Sequence, residues 1–513
     1  MDFREILGAS KKRRLELLEI LYYHRKGYSQ NHLLSELNCS LPVLKNDIKI
    51  INSKNTYFQI VKKEGWYSLS LDRSVSLSNL YSDILRFIPE YQIIEELLYE
   101  ECNNITALSE KLQLSTSNTQ RCIKKIEKTL ESSKMKLCFR PLRIEGSESE
   151  IRHFYFRFYM ERQSTIENLL PKLTVQQYLT IEKYVEEFAV ANDIWRKYVF
   201  EKRLNYNFYI SLWRIKNNHA YPKHELRKLG LKLPQKESYK QLEKVVWEIA
   251  GIRLSPDILR DCLWLSFSDA VVFSITHREY ALIDNPRYQY LYMLHYDLVR
   301  EFDELLGCRL SKKDKINFTT VLCNDVYLYD TDSTFLNLLW DNRVFFLKES
   351  VRIYSNGIKK IRQLVEAFVT RNEIYQEEGF VQNYVYLLLT TKVESLKWLA
   401  KQDHLIKILL ISDLAPTEET FLAHQIQESI YGNFIINHFE KLPGGTDQLT
   451  NEIKKYDCLI TTRLMTGIPE ECPVVAIEPF LTSDNIQDIQ KLVTCIAAVS
   501  YTHLRAHETR SNL

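Results

Sequence analysis

Leu112-Gln113-Leu114-Ser115-Thr116-Ser117-Asn118-Thr119-Gln120-Arg121-Cys122-Ile123-Lys124-Lys125-Ile126 repeats, at an offset of 75 residues, the pattern of Leu37-Asn38-Cys39-Ser40-Leu41-Pro42-Val43-Leu44-Lys45-Asn46-Asp47-Ile48-Lys49-Ile50-Ile51. In both copies a helix ends at leucine, a short turn follows, and a serine opens the next helix. Ser40 and Ser115 suit that place, because a hydroxyl accepts a backbone N–H that the first helical turn leaves without a partner. Pro42 falls in the first turn, where its missing N–H costs little. After each cap the apolar side recurs at helical spacing: Leu44, Ile48 and Ile51 in one copy, Thr119, Ile123 and Ile126 in the other. The opposite face carries Lys45, Asn46 and Lys49 in the first copy. In the second it carries Thr116, Ser117, Asn118, Gln120, Arg121 and Lys124, with Lys125 beside them.

The neighbours of the two copies also match. Helical patterns over Lys12–Tyr23 and Ser29–Leu37 precede the first, and Glu90–Glu101 and Thr106–Leu112 precede the second. A β-prone hairpin follows each: Tyr57–Val61 turning at Gly65 into Trp66–Leu69, then Met135–Phe139 returning through Leu142–Ile144. The expectation is two winged helix-turn-helix units. Charge agrees: residues 1–70 hold 12 Lys/Arg against 7 Asp/Glu, and Thr119–Arg143 holds eight bases against two acids. Such stripes supply phosphate contacts, while Asn118, Gln120 and Arg121 have the bidentate chemistry that base edges require.

A chain of 513 residues exceeds one core and predicts roughly three to four domains. Only 13 glycines are present, so few turns need positive φ and long helices with short connections are expected. Ten cysteines are scattered without a CxxC spacing, and Cys122 and Cys262 fall in apolar helical patterns as small core residues. The first residues, Met1-Asp2-Phe3-Arg4-Glu5, are charged and open no signal peptide. The most apolar stretch, Cys262–Thr276, is too short to span a bilayer and carries Asp269. A cytoplasmic protein with no membrane partner is expected.

From Arg152 to Lys401 the sequence is dense in aromatics. Helices are predicted at Val175–Ala191, Tyr239–Ala250, Pro256–Phe267 (capped by Ser255), Arg287–Leu306 and Ile358–Thr370, with one long loop over Asn217–Lys236. No histidine pair stands at metal-ligand spacing, and no phosphate loop or nucleophile elbow occurs, so no metal, cofactor or catalytic residue is expected. After His404 the texture turns α/β. Strands are predicted at Leu405–Ile411, Phe434–His438, Cys458–Thr462 and Val474–Ile477, with helices at Glu418–Tyr431 and from about Ser483 to Val493. Residues 500–510 have no apolar face and resemble read-through of a sequencing adapter; they are given no part in the fold.

The fold class expected is therefore multidomain and mainly α. Its parts are winged units at 1–72 and 73–165, helical lobes at 166–285 and 286–400, a small doubly wound α/β domain at 401–497, and a tail at 498–513.

This order of parts resembles the Mga/AtxA family of virulence regulators of Gram-positive bacteria over nearly all of residues 1–497. Its most specific stretches are the two recognition helices and Lys407-Ile408-Leu409-Leu410-Ile411-Ser412. The resemblance implies that the lobes are regulation domains of the sugar phosphotransferase system (PRD-like) and that the last domain is EIIB-like. It implies a DNA-binding transcription regulator, an activator of virulence or sugar-responsive genes, acting on promoters with RNA polymerase. Homodimerisation through the C-terminal domain and lobes is implied too, tuned by phosphocarrier proteins that phosphorylate histidine. Arg214-Ile215-Lys216-Asn217-Asn218-His219 is similar to the family's first-lobe histidine region, and His277 is a second candidate. No histidine occurs between Ser311 and Thr391, which leaves His295 at the start of the second lobe. Phosphotransferase B domains carry their phosphoryl group on a cysteine after the first strand; here Ser412-Asp413 stands there, so dimerisation rather than catalysis is expected. The alternatives are an RNA-binding antiterminator with similar lobes, which calls for a β-rich N-terminal module, and a phosphotransferase component, which calls for that cysteine.

Overall fold

The structure, a computed structural model of the chain, describes residues 6–25, 27–54, 58–72, 80–81, 85, 88–131, 135–162, 170–194, 198–227, 230–235, 237–326, 342–373, 378–439, 446–465 and 468–511. The chain divides into two units, Met1–Leu291 with Cys323–Trp340, and Tyr292–Leu322 with Asp341–Leu513. Helices dominate both.

The first unit opens with α1 (Ala9–Tyr23), β1 (Tyr28–Ser29), α2 (Gln30–Glu36), α3 (Leu41–Lys54), β2 (Phe58–Lys63) and β3 (Trp66–Leu71). The strands form an antiparallel sheet of order β1-β3-β2. A second set follows: α4 (Pro89–Tyr99), α5 (Ile105–Lys111), α6 (Thr116–Glu131), β4 (Lys136–Phe139) and β5 (Leu142–Glu145). The internal repeat is copied in the backbone. Ser29 and Asn104 cap α2 and α5 by accepting from the N–H three residues on, at 3.3 and 2.9 Å. Asn38 and Gln113 both take left-handed φ, 43° and 53°, and Cys39 and Leu114 both donate back five residues, to Leu34 and Ser109. One local solution thus turns both helix pairs.

Two long helices in this unit were not anticipated: α7 (Glu148–Arg162) and α9 (Tyr198–Lys216), on either side of α8 (Val175–Ala191). The sequence of α9 shows no clean stripe because that helix is enclosed, whereas α7 keeps a half-buried face at Ser149, His153, Phe156 and Met160. Every residue from Leu204 to Arg214 is buried, and a helix surrounded on all sides has no polar face to mark its period. Further on come α10 (Glu237–Ala250), α11 (Pro256–Cys262), α12 (Trp264–Phe267) and α13 (Ile275–Asp284). Ser255 caps α11 as expected, its hydroxyl accepting from Ile258 N–H at 3.3 Å. The single helix expected over Pro256–Phe267 is instead broken at Leu263. One hydrophobic core runs through the unit from Ile6 to Phe273 and includes Cys122 and Cys262. Burial pushes the Cys122 thiol up to about 11.

The other unit takes α14 (Pro286–Leu306) from Tyr292 onward, α15 (Lys312–Val326) up to Leu322, and the whole of α16 (Asn342–Ile353), α17 (Ser355–Arg371), α18 (Glu378–Thr390) and α19 (Ser395–Ala400); of these only α14 and α17 match helices expected from the sequence. The C-terminal sheet contains β6 (Ile406–Ile411), β7 (Phe434–Asn437), β8 (Cys458–Thr461) and β9 (Val474–Ala476), all parallel in the order β7-β6-β8-β9. Ile408 and Leu410 pack against α20 (Pro416–Ser429) and α22 (Ser483–Ser511), while Leu409 and Ile411 face α21 (Thr446–Ile453). Helices therefore cover both faces, as a nearly continuous apolar strand requires. The last helix was expected to stop near Val493. It continues because Ile496 and Ala497 still pack on the sheet, and its backbone is helical to Ser511. Among the described residues no helix is long and apolar enough to cross a membrane.

Candidate nucleic-acid interface

Each recognition helix is built from its buried side outward. In α3, Leu44 and Ile51 are buried and Ile48 packs at the edge of the core. Asp47 joins them, 3% exposed, because Arg13 and Arg14 of α1 hold its carboxylate at 2.7 and 3.4 Å. Asn52 then bonds Ile60 of the wing twice, at 2.9 and 3.0 Å, like one rung of a strand pair. The wing turns through Glu64 and Gly65, both at positive φ (48° and 84°), a two-residue turn that suits the right-handed strand twist. With its back fixed in this way, α3 leaves Lys45, Asn46 and Lys49 exposed, and the wing tip exposes Lys63 and Trp66.

The second helix, α6, is more polar on its open face. Ser115 caps it, accepting from Asn118 N–H at 3.3 Å. Thr119, Cys122, Ile123, Ile126 and Leu130 are buried beneath. Thr116, Ser117, Gln120, Arg121 and Lys124 are exposed, and Asn118 is half-buried with its Oδ1 accepting from Arg121 Nη2 at 3.0 Å. That bond aligns an amide and a guanidinium side by side, a pair suited to adjacent base edges. Lys125 departs from expectation. Its Nζ turns to Glu90 and to the Ile6 carbonyl, both at 3.3 Å, so this half-buried side chain is held at the edge of the core and not presented on the open face. The wing of this unit is partly self-neutralised. Burial works to raise the Glu145 carboxyl, but Arg143 and Lys136 hold it below the usual carboxylate range.

At the end of α4 stands a charged cluster that the sequence did not announce. Arg152, with no exposed side-chain surface, bonds Glu148 at 2.8 Å, Asp261 at 2.7 Å and Ser211 Oγ at 2.9 Å. Arg214 bonds Glu148 at 2.9 Å and Glu100 at 3.0 Å. His219 closes the cluster, its Nε2 2.9 Å from Glu100, with the side chain 27% exposed. Glu100 terminates α4 in a left-handed conformation (φ 55°), so the cluster ties the second winged unit to α7, α9 and α11. Arginines spread through aromatic helices leave no periodic sign; only the pairing found in the fold identifies them.

The other histidines differ in surroundings. His277 is 3% exposed, its Nε2 3.0 Å from Asp269 Oδ1. It lines a cavity of about 180 Å³ with Arg227, Ser266, Tyr280 and Asp284. His295 is enclosed against Phe368 and Tyr384, with Nε2 2.9 Å from the Tyr384 hydroxyl, which makes it a packing residue. At the end of β6, Ser412 donates to the Glu419 carboxylate, and Asp413 accepts from Thr462 Oγ1 at 2.8 Å. Among the described residues no three His, Cys, Asp or Glu side chains are grouped to hold a metal ion.

The family comparison falls on the second winged unit. Residues 73–159 match the family described as the Mga helix-turn-helix domain. The capsule synthesis positive regulator AcpA of Bacillus anthracis is 29% identical over 40% of this chain and 43% of its own length. The chain thus spans less than half of that relative. The anthrax toxin expression trans-acting positive regulator of Bacillus anthracis is 25% identical over 29% of this chain and 32% of its own. A Streptococcus pneumoniae protein named for trans-acting regulation is 19% identical, over 98% of this chain and 99% of its own.

Proposed function

We propose that the chain is a member of the Mga/AtxA family of virulence regulators and a transcription activator that grips promoter DNA with both of its winged units, a reading supported by the family match and the named relatives. That family consists of transcription regulators, not enzymes. The observation that carries the proposal is α6: a capped helix with a buried apolar back and Thr116, Ser117, Gln120, Arg121 and Lys124 on its open face. Polar and basic groups on a helix of that shape suit the major groove, where phosphates set position and base edges set sequence. The first helix offers fewer base-reading groups, so shape and bendability of the DNA weigh more there.

The domains follow the proposed boundaries, with PRD-like lobes at 166–285 and 286–400 and an EIIB-like domain at 401–497. The protein works in the cytoplasm as a homodimer joined through that last domain and the lobes, and it positions RNA polymerase. Hydrogen bonds fill the crevice at the end of β6, with Ser412 in place of a thiol, which favours a retired enzyme fold used for assembly. Phosphocarrier proteins phosphorylate His219, and after it His277. A phosphoryl group on His219 Nε2 sets close to two negative charges against Glu100, whose carboxylate also holds Arg214, and so loosens the second winged unit from the lobe.

The test offers full-length protein a bacterial promoter library, the same sequences as RNA, and a labelled phosphocarrier. Enrichment of duplex DNA alone is expected. Preference for RNA establishes the antiterminator alternative, and phosphate passing through the C-terminal domain establishes the phosphotransferase alternative.

A further inference from the structure

The run Lys11-Lys12-Arg13-Arg14 at the head of α1 has the composition of a phosphate-binding patch. Three of its four side chains are turned to buried carboxylates instead. Arg13 and Arg14 hold Asp47 of α3. Lys11 holds Glu90 of α4 at 2.7 Å, and the other oxygen of Glu90 takes Lys125 of α6 at 3.3 Å. Glu90 is 2% exposed. A line of ion pairs therefore runs from one recognition helix to the other: α3, α1, α4, α6.

We propose that Glu90 is a positioning residue that locks the two recognition helices at one separation and one rotation, so that a single chain reads DNA as one rigid head with two contacted segments in fixed phase. The inference rests on the DNA-binding reading above and deepens it. Apolar contact alone leaves two bodies some freedom to slide. Here a continuous core brings Ile6 and Leu7 together with Ile123 and Ile126, and the ion pairs then fix the register. A buried carboxylate cannot give up its cations without a large desolvation cost, so departures from this one arrangement are resisted. Two more contacts remove slack: Lys125 also donates to the Ile6 carbonyl, and Tyr81, in the segment joining the units, donates to Glu19 of α1. The consequence for DNA is geometric. The duplex turns once in about 10.5 base pairs, so added base pairs both rotate the second segment away and move it beyond reach of a rigid head.

The experiment selects duplexes from a random library with the full-length wild-type chain, footprints the best one, and inserts 3, 5 or 10 base pairs between the two protected segments. Wild type is expected to lose about 100-fold in affinity on every insert, including 10, because the gain from simultaneous contact disappears. Glu90→Gln and Lys11→Gln are expected to bind the uninterrupted duplex more weakly, with an insert penalty of less than about 5-fold. Lys11→Arg, which keeps the cation, retains the wild-type profile. If Glu90→Gln does not fold, Lys11→Gln carries the test, since its side chain is partly exposed. A single protected segment, a wild type indifferent to inserts, or variants as insert-sensitive as wild type would each overturn the rigid head while leaving DNA binding intact. Failure of wild type to select any duplex removes the DNA-binding reading itself, and the rigid head with it.

Discussion

Replacing Arg152 by methionine isolates the charge of a fully buried guanidinium while keeping most of its length and volume. In the native fold that guanidinium serves Glu148, Asp261, the Ser211 hydroxyl and the carbonyls of Asp261 and His219. Removing one partner of a buried ion pair costs roughly 3–5 kcal/mol, because the other charge stays buried. Two carboxylates lose their cation here, but Glu148 keeps Arg214, and losses within one network do not add, so about 5 kcal/mol is expected. At about 2 °C per kcal/mol for a body of this size, the first unit should unfold roughly 10 °C lower. The pH dependence separates charge from packing. Burial works to raise the Glu148 carboxyl, yet Arg152 and Arg214 hold it below the ordinary value of 4.5. A depressed carboxyl stabilises the fold above its unfolded value and loses that contribution as pH falls through its folded value. The gap between wild type and Arg152→Met should be widest near neutral pH and narrow below about pH 4. Thermal unfolding followed by circular dichroism at both pH values measures this. A shift under about 2 °C at neutral pH, or a gap equally wide in acid, would refute the electrostatic explanation.

Ser115→Ala removes the cap of α6 and should cost about 1 kcal/mol, read as a shift of about 2 °C with weaker DNA binding. Lys124→Gln should lower the log–log salt slope of DNA binding by about 1, whereas Lys125→Gln should leave the slope unchanged, since its ammonium faces Glu90. Titration across salt concentrations distinguishes the two. Leu409→Ala, in the buried middle of β6, should destabilise the C-terminal sheet by about 2–5 kcal/mol, measured as earlier urea unfolding of that region by hydrogen exchange.

The parts legible in the sequence were those with a local cause. Ser115 and Ser255 cap helices because their hydroxyls act within three residues, and α6 shows its stripe because only one side is covered. The run Ile406–Ile411 announced a strand buried on both faces, and it is one. What stayed hidden depends on partners far away in sequence. Arg214 finds Glu148 66 residues earlier, and Lys125 finds Glu90 35 residues earlier; by charge alone each looks like any surface base. Helix α9 escaped detection for the opposite reason, being so enclosed that no polar face remained. A sharper sign was available for Lys125: it immediately precedes Ile126 and lies one helical turn from the buried Cys122, nearer the covered side than Lys124.

The most direct measurement is the affinity of purified full-length protein for promoter duplexes at low salt, comparing wild type with Arg121→Ala/Lys124→Ala. Both altered side chains are exposed on α6, so the variant should melt with wild type. Wild type is expected to bind and the variant to lose at least about 10-fold, the loss of one base contact and one phosphate contact. Equal affinity of the two proteins, or no binding by either, would contradict the assignment of α6 as a DNA reader.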